Sequence, residues 1–112
     1  MTAAAQTRLW LAQRASAAVL AFCVVVHLAV IIYAVRGGLS AAEILARTQG
    51  SLPWAGFYAL FVVAVAVHAS VGVRAVALEW LHLRGRALGV LVALVAAVLL
   101  GLGLRAVWAV YA

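Results

Sequence analysis

The sequence contains very little charge, and almost none of it is negative. Of its 112 residues only 9% are charged, with eight arginines, no lysine and two acids, Glu43 and Glu79. Soluble domains are about one-quarter charged, and disordered chains are polar throughout, so both classes are excluded. The one cysteine, Cys23, excludes a disulfide scaffold and an iron–sulfur cluster held by cysteines.

Apolar residues make up 71% of the chain, which is more than a soluble fold of this length could bury. Three apolar stretches run over residues 15–35, 54–78 and 87–110. Each is close to the ~20 residues that a helix needs to cross a bilayer, and lipid leaves backbone groups no other partners. We therefore predict an all-α membrane protein with one domain over 1–112. Its three transmembrane helices form an up-down-up bundle, and the first is a retained span rather than a signal peptide.

The connections between the spans carry their own signals. Gly37 and Gly38 predict the end of the first helix. The sequence Ser40-Ala-Ala-Glu43 matches a capping box, which predicts a short helix over residues 39–48 with its apolar side on the membrane surface. A break from Gly50 to Pro53 then precedes the second span.

The arginines flank the apolar stretches, so the net charge of +6 indicates contact with lipid headgroups rather than with nucleic acid. Arg8, Arg14, Arg84 and Arg86 are predicted to lie on one side of the membrane, with Arg74 close to it. Arg36, Arg47 and Arg105 are predicted to lie on the other side. This bias favours a cytoplasmic N-terminus. We expect an integral protein of the bacterial cytoplasmic membrane.

Two histidines lie inside the spans, where ionisable residues are costly and usually functional. His27 is thirteen residues from Arg14, and His68 is eleven residues from Glu79. At 1.5 Å per residue these separations are about 20 Å and 17 Å, which predicts a similar depth for both imidazoles. Two imidazoles at one level suit the axial ligation of a b-type haem. For each histidine, the alternative is a hydrogen bond to a neighbouring helix.

Helical spacing places the two histidines on faces with other distinctive residues. Ser16, Leu20, Cys23 and His27 share a face of the first span, and Phe57, Phe61, Ala64, His68 and Gly72 share a face of the second. The small residues Ala64 and Gly72 either leave room for a macrocycle or serve helix packing. Cys23 is interpreted as a packing residue.

Four further residues lie toward the predicted cytoplasmic surface. Arg14 and Arg74 could hold a haem propionate or polarise a quinone carbonyl, since guanidinium pairs well with oxygen acceptors, or they could extend to the interface. Trp10 and Trp80 could form the wall of a quinone pocket, or belong to the aromatic belt that is common at membrane surfaces.

Two stretches carry a family resemblance. Gln13-Arg14-Ala15-Ser16, followed by a span that reaches Val26-His27-Leu28, resembles the first helix of succinate dehydrogenase and fumarate reductase cytochrome b anchors, where an H/Q-R-x-S motif opens the helix. Residues 68–80 resemble the pattern H-x-x-x-G-hydrophobic-R of their second helix, with an acid and an aromatic residue shortly after. Three spans in just over a hundred residues also match the small anchor subunit of that family.

The resemblance implies roles for individual residues. His68 matches the haem b ligand, Arg14 and Ser16 match residues near the quinone and the haem propionates, and Arg74 matches the arginine after the glycine. Trp10 stands where the family often has a serine of the quinone pocket. His27 resembles a first-helix histidine of the larger diheme anchors, and it could ligate the haem of His68 or a haem shared with another chain.

The resemblance also implies an electron-transfer role without a catalytic site in this chain. A flavoprotein subunit would oxidise succinate or reduce fumarate, and an iron–sulfur subunit would pass electrons to haem b and quinone in the membrane. Three helices give few walls around these groups, so we expect a second anchor chain or self-association. The alternatives are a haem-b anchor of another membrane-bound dehydrogenase and a small membrane protein without redox function.

Overall fold

A computed structural model describes all 112 residues of the chain and contains four helices. These are α1 (Ala3–Arg36), α2 (Ala41–Thr48), α3 (Leu52–Trp80) and α4 (Gly85–Tyr111). The three long helices are apolar enough to cross a membrane, and there are no strands. The predicted all-α class with three spans and a short connecting helix is therefore confirmed. The helices extend beyond the predicted spans, most of all α1, which begins twelve residues before the expected start at residue 15.

The predicted signals at the ends of α1 and α2 are confirmed. Gly38 adopts a left-handed φ of +63°, and the N–H of Leu39 donates to the Ala34 carbonyl at 3.0 Å, which satisfies an otherwise free carbonyl at the end of α1. At the start of α2, the Ser40 hydroxyl accepts from the Glu43 N–H at 3.2 Å, and the Glu43 carboxylate accepts from the Ser40 N–H at 3.4 Å. The capping box therefore turns the chain from the first span into a short helix.

The connection between α3 and α4 is a tight turn. His82 adopts a φ of +53° and is the only non-glycine residue with a positive φ. The Leu83 N–H donates to the Ala77 carbonyl at 3.0 Å, so the chain reverses directly after the last turn of α3. This turn makes α4 antiparallel to α3, as the up-down-up topology requires.

The central helix of the bundle is α3, because α1 and α4 both pack against it and hardly touch each other. Small residues allow this packing on two opposite sides of α3. Ala64 is buried on one side, and Ala66, Ser70 and Ala77 are buried on the other. Only seven residues of the chain are buried, so most of the apolar side chains face outward, where lipid or other subunits would cover them.

The short helix α2 holds the C-terminal end of α4. The Thr48 hydroxyl donates to the Val110 carbonyl at 2.8 Å, and the Gly50 N–H donates to the Tyr111 carbonyl at 2.9 Å. These bonds satisfy carbonyl groups that the last turn of a helix leaves without partners. Since α1 and α4 lack an extensive interface, α2 is an important link between them at this end of the bundle.

Candidate functional site at His68

The residues of the two predicted faces meet where α1 packs against α3. The Ser16 hydroxyl lies 3.5 Å from Nδ1 of His68, and it donates its own proton to the Gln13 carbonyl at 3.1 Å. With its hydrogen committed, the Ser16 oxygen offers His68 only its lone pairs. In the tautomer that carries its proton on Nδ1, the His68 ring would donate to this oxygen and keep its lone pair on Nε2.

The small residues one turn either side of His68 share its face of α3. Ala64 is buried, and a Cβ atom at Gly72 would meet Nε2 of Gln13 at 3.6 Å. The amide oxygen of Gln13 is itself buried without a hydrogen-bond partner. Gln13 thus lies beside Gly72, and His68 is half-buried with its only hydrogen-bond contact at Nδ1.

The prediction that His27 and His68 lie at the same depth is wrong. His68 contacts Ser16, whereas His27 packs edge-to-face against Tyr58 and Phe61, with ring centroids 5.6 Å away in both cases. His27 is eleven residues beyond Ser16 on α1, which is about 16 Å along the helix axis.

The error came from the assumption that Arg14 and Glu79 mark one plane. The contact between Ser16 and His68 sets the register of the antiparallel pair, and this register brings Glu79 level with the first turns of α1 rather than with Arg14. The two imidazoles are therefore too far apart to ligate one iron, since metal–nitrogen bonds are about 2 Å long.

His27 lies instead at a separate, largely apolar cavity of about 610 Å³ between α1, α3 and α4, with α2 at its end. Its Nδ1 atom is buried without a hydrogen-bond partner. The chain contains no cluster of three or more side chains that could hold a metal ion together. Each histidine is therefore a candidate iron ligand by itself.

The arginines and tryptophans assigned to a quinone or propionate site line neither of the two main cavities of the chain. The Arg14 guanidinium lies 5.1 Å from the ring centroid of Trp10, and both residues are exposed on the outer side of α1. Arg74 is half-buried, and six helical residues separate it from His68, which turns it about 120° away. Trp80 is 77% exposed at the end of α3.

Two polar contacts were not singled out from the sequence. The Gln13 side chain reaches Gly72, which helical spacing could have revealed because Gln13 lies one turn before Ser16. The contact between Arg47 and Tyr33, described below, joins α2 to α1 across a turn and has no local sequence signal.

The fold and this site define an all-helical, three-span membrane protein that presents one oriented histidine between two spans. Residues 1–104 match the family model described as "Succinate dehydrogenase/Fumarate reductase transmembrane subunit". The chain belongs to this family, and it is an integral membrane protein whose family associates with the catalytic subunits as a membrane anchor. No curated protein and no solved structure matches the chain.

Proposed function

We propose that the chain is the membrane anchor and electron-transfer subunit of a succinate:quinone oxidoreductase, with haem b bound through His68. The arrangement of Ser16 and His68 is the observation that carries this proposal. Histidines that bind metals usually donate their second ring N–H to a fixed acceptor, which orients the ring and selects the tautomer. The Ser16 hydroxyl is such an acceptor at Nδ1, and Nε2 is the nitrogen left for iron.

The other residues of the site fit this role. His68 is half-buried beside Ser16 between α1 and α3, which is a position where one side of the ring stays accessible to a ligand. Haem iron, when bound, supplies one-electron transfer between the iron–sulfur subunit and quinone. The active site for succinate or fumarate would be in the flavoprotein subunit.

Within one chain, His68 would be the residue that holds this haem. Because His27 is displaced along α1, a second protein ligand would come from another anchor chain or from a second copy of this one. A haem shared between chains also explains why His68 lies in a bundle that is not closed around it.

The quinone site is proposed at the N-terminal side of the membrane, next to the iron–sulfur subunit. Arg14, Trp10 and Trp80 are exposed there, and Arg74 is half-buried nearer the same end of α3. Since Arg14, Trp10 and Trp80 are exposed, the site would be completed by partner subunits. We place this side in the cytoplasm, in accordance with the positive-inside rule.

The test is a difference spectrum of the purified complex, reduced with dithionite minus oxidised. His68→Ala is expected to abolish the haem b band, whereas His27→Ala is expected to retain it because His27 lies at a different level. If the intact complex keeps the haem b band in both variants, His68 is excluded as the ligand. Copurification of a flavoprotein with succinate or fumarate activity separates this proposal from an anchor for another dehydrogenase.

A further inference from the structure

A second cavity, of about 480 Å³, lies at the opposite end of the bundle from the Ser16–His68 contact. It is bounded by the last turns of α1, by α2 and by the first turns of α3. Its wall is mostly apolar, but Arg47 and Tyr33 place a cation and a hydroxyl on it. We refer to this feature as the α2 cavity.

The side chain of Arg47 is held at the α2 cavity. One of its terminal nitrogens donates to the Tyr33 hydroxyl at 3.2 Å, and its guanidinium lies 4.9 Å from the centroid of the Tyr33 ring. A guanidinium has five N–H donors, and this bond uses one of them. Arg47 is thus positioned by Tyr33 with donors left for an anion.

The charges around Arg47 favour an anionic ligand. The nearest acid in sequence is Glu43, one turn earlier on α2, and its carboxylate accepts hydrogen bonds from the N–H and the hydroxyl of Ser40, at 3.4 and 3.1 Å. Arg36 at the end of α1 adds a second positive charge on this side of the membrane. The two arginines outnumber the single carboxylate of Glu43, so these three side chains carry a net positive charge.

The shape of the α2 cavity combines a polar end with an apolar interior. Along α1 its wall extends from Tyr33 to Val25, which is about 12 Å at the rise of a helix. The helix α2 connects two spans and therefore lies at the membrane interface, so the arginine is at headgroup level and the apolar part points into the membrane. A ligand with a phosphate at one end and a hydrocarbon chain matches both parts.

We propose that the α2 cavity binds a phospholipid of the leaflet on the α2 side, with its phosphate on Arg47 and an acyl chain along α1 toward Val25. Guanidinium groups bind phosphate through paired hydrogen bonds, and basic pockets between spans are suited to lipid headgroups. This inference does not depend on haem binding, since the α2 cavity contains neither His27 nor His68.

The test uses the full chain in nanodiscs of phosphatidylcholine that contain a phosphatidylglycerol with a photoactivatable group in its acyl chain. Crosslinks are expected to concentrate at residues 25–34 and to fall about fivefold in Arg47→Gln, the factor that corresponds to about 1 kcal/mol per basic residue at the membrane surface. The matched control Arg36→Gln removes a charge on the same side but not from the cavity wall, so it is expected to lower the labelling clearly less than Arg47→Gln, and an equal fall in both variants would overturn the proposal. Even labelling of all lipid-facing positions of α1, with no dependence on Arg47, would overturn the proposal.

A second pair of variants keeps the test decisive if Arg47→Gln does not fold. Ala29→Trp fills the α2 cavity without changing Arg47, and it is expected to reduce the crosslinks at least as strongly. Ala21→Trp, at an exposed position of α1 outside the cavity, is the control that should not. Persistence of the crosslinks in Ala29→Trp would overturn the proposal. Complete displacement of the crosslinks by millimolar inorganic phosphate would overturn it as well, because it would indicate a phosphate site without a lipid chain.

Discussion

At the scale of single residues, the role proposed for His68 depends on a neighbouring hydroxyl. The contact between Ser16 and His68 is 3.5 Å long, which is near the limit for a hydrogen bond and contributes little stability. Its proposed effect is on the tautomer, because the Ser16 hydroxyl donates to the Gln13 carbonyl and has lone pairs left for His68. Ser70 on α3 is a useful contrast to Ser16 on α1. Its hydroxyl is buried too, but it has no hydrogen-bond partner.

We predict that Ser16→Ala weakens haem binding in the complex without preventing assembly. The outer partners of metal-bound histidines typically contribute about 10-fold to 100-fold to metal affinity, so the rate of haem loss to an acceptor protein should rise by about that range. Ser16→Thr, which retains a hydroxyl, should restore most of the affinity, and Ser70→Ala should have no effect on it. Equal haem loss and an equal midpoint potential in Ser16→Ala and in the unmodified complex would contradict a positioning role for Ser16.

At the scale of elements, close packing depends on where small residues fall on a helix. On α4, Gly103 faces Val62 of α3 so closely that a Cβ atom built at Gly103 would lie 2.5 Å from Cγ1 of Val62. Gly101, only two residues earlier, has open space around it. Two glycines of the same helix thus have different roles, and only the partner helix distinguishes them.

We predict that Gly103→Ala destabilises the α3–α4 pair, whereas Gly101→Ala does not. The added methyl group must push Val62 or the helices apart, and overpacking of this kind typically costs about 1–3 kcal/mol. Thermal unfolding of the full chain in detergent micelles should show a lower midpoint for Gly103→Ala alone. A midpoint that falls equally in both variants would indicate that any added side chain on α4 perturbs the bundle.

At the scale of the whole molecule, the chain is an open arrangement rather than a closed bundle. The central α3 separates α1 from α4, only seven residues are buried, and large side chains such as Phe22 and Trp10 are exposed on the outside. Within a membrane subunit, such surfaces are available to lipid and to partner chains. The separation of His27 from His68 adds a chemical reason for a partner, since one chain presents one ligand to the proposed haem.

We predict that a single copy of the chain, purified as a monomer and supplied with haem, forms a high-spin complex with one protein ligand. The intact complex should instead show a low-spin spectrum with two ligands, because a second chain contributes the other. Absorption and electron paramagnetic resonance spectra distinguish the two states. A low-spin spectrum in the monomer that disappears in His27→Ala would contradict the separation of the two histidines.

Local features of this fold could be predicted from the sequence because each depends on a few neighbouring residues. The capping box at Ser40 and Glu43, the glycine end of α1 and the helical face shared by Ser16 and Cys23 are all confirmed. The depth of His27 relative to His68 could not be predicted in the same way. Counting residues from Arg14 and Glu79 assumes a register between two helices, and no local pattern specifies that register.

The sequence by itself determined that this protein lies in a membrane, that it crosses three times, and that His68 follows a family motif. Composition and helical periodicity are sufficient for these conclusions, because lipid excludes charge and forces backbone hydrogen bonding within each segment. Only the tertiary structure decided that Ser16 contacts His68, that His27 lies at a separate cavity, and that Arg47 and Tyr33 meet at the α2 cavity. The physical reason is that these contacts depend on how far one helix slides along another, and this sliding is set by side-chain packing between distant segments.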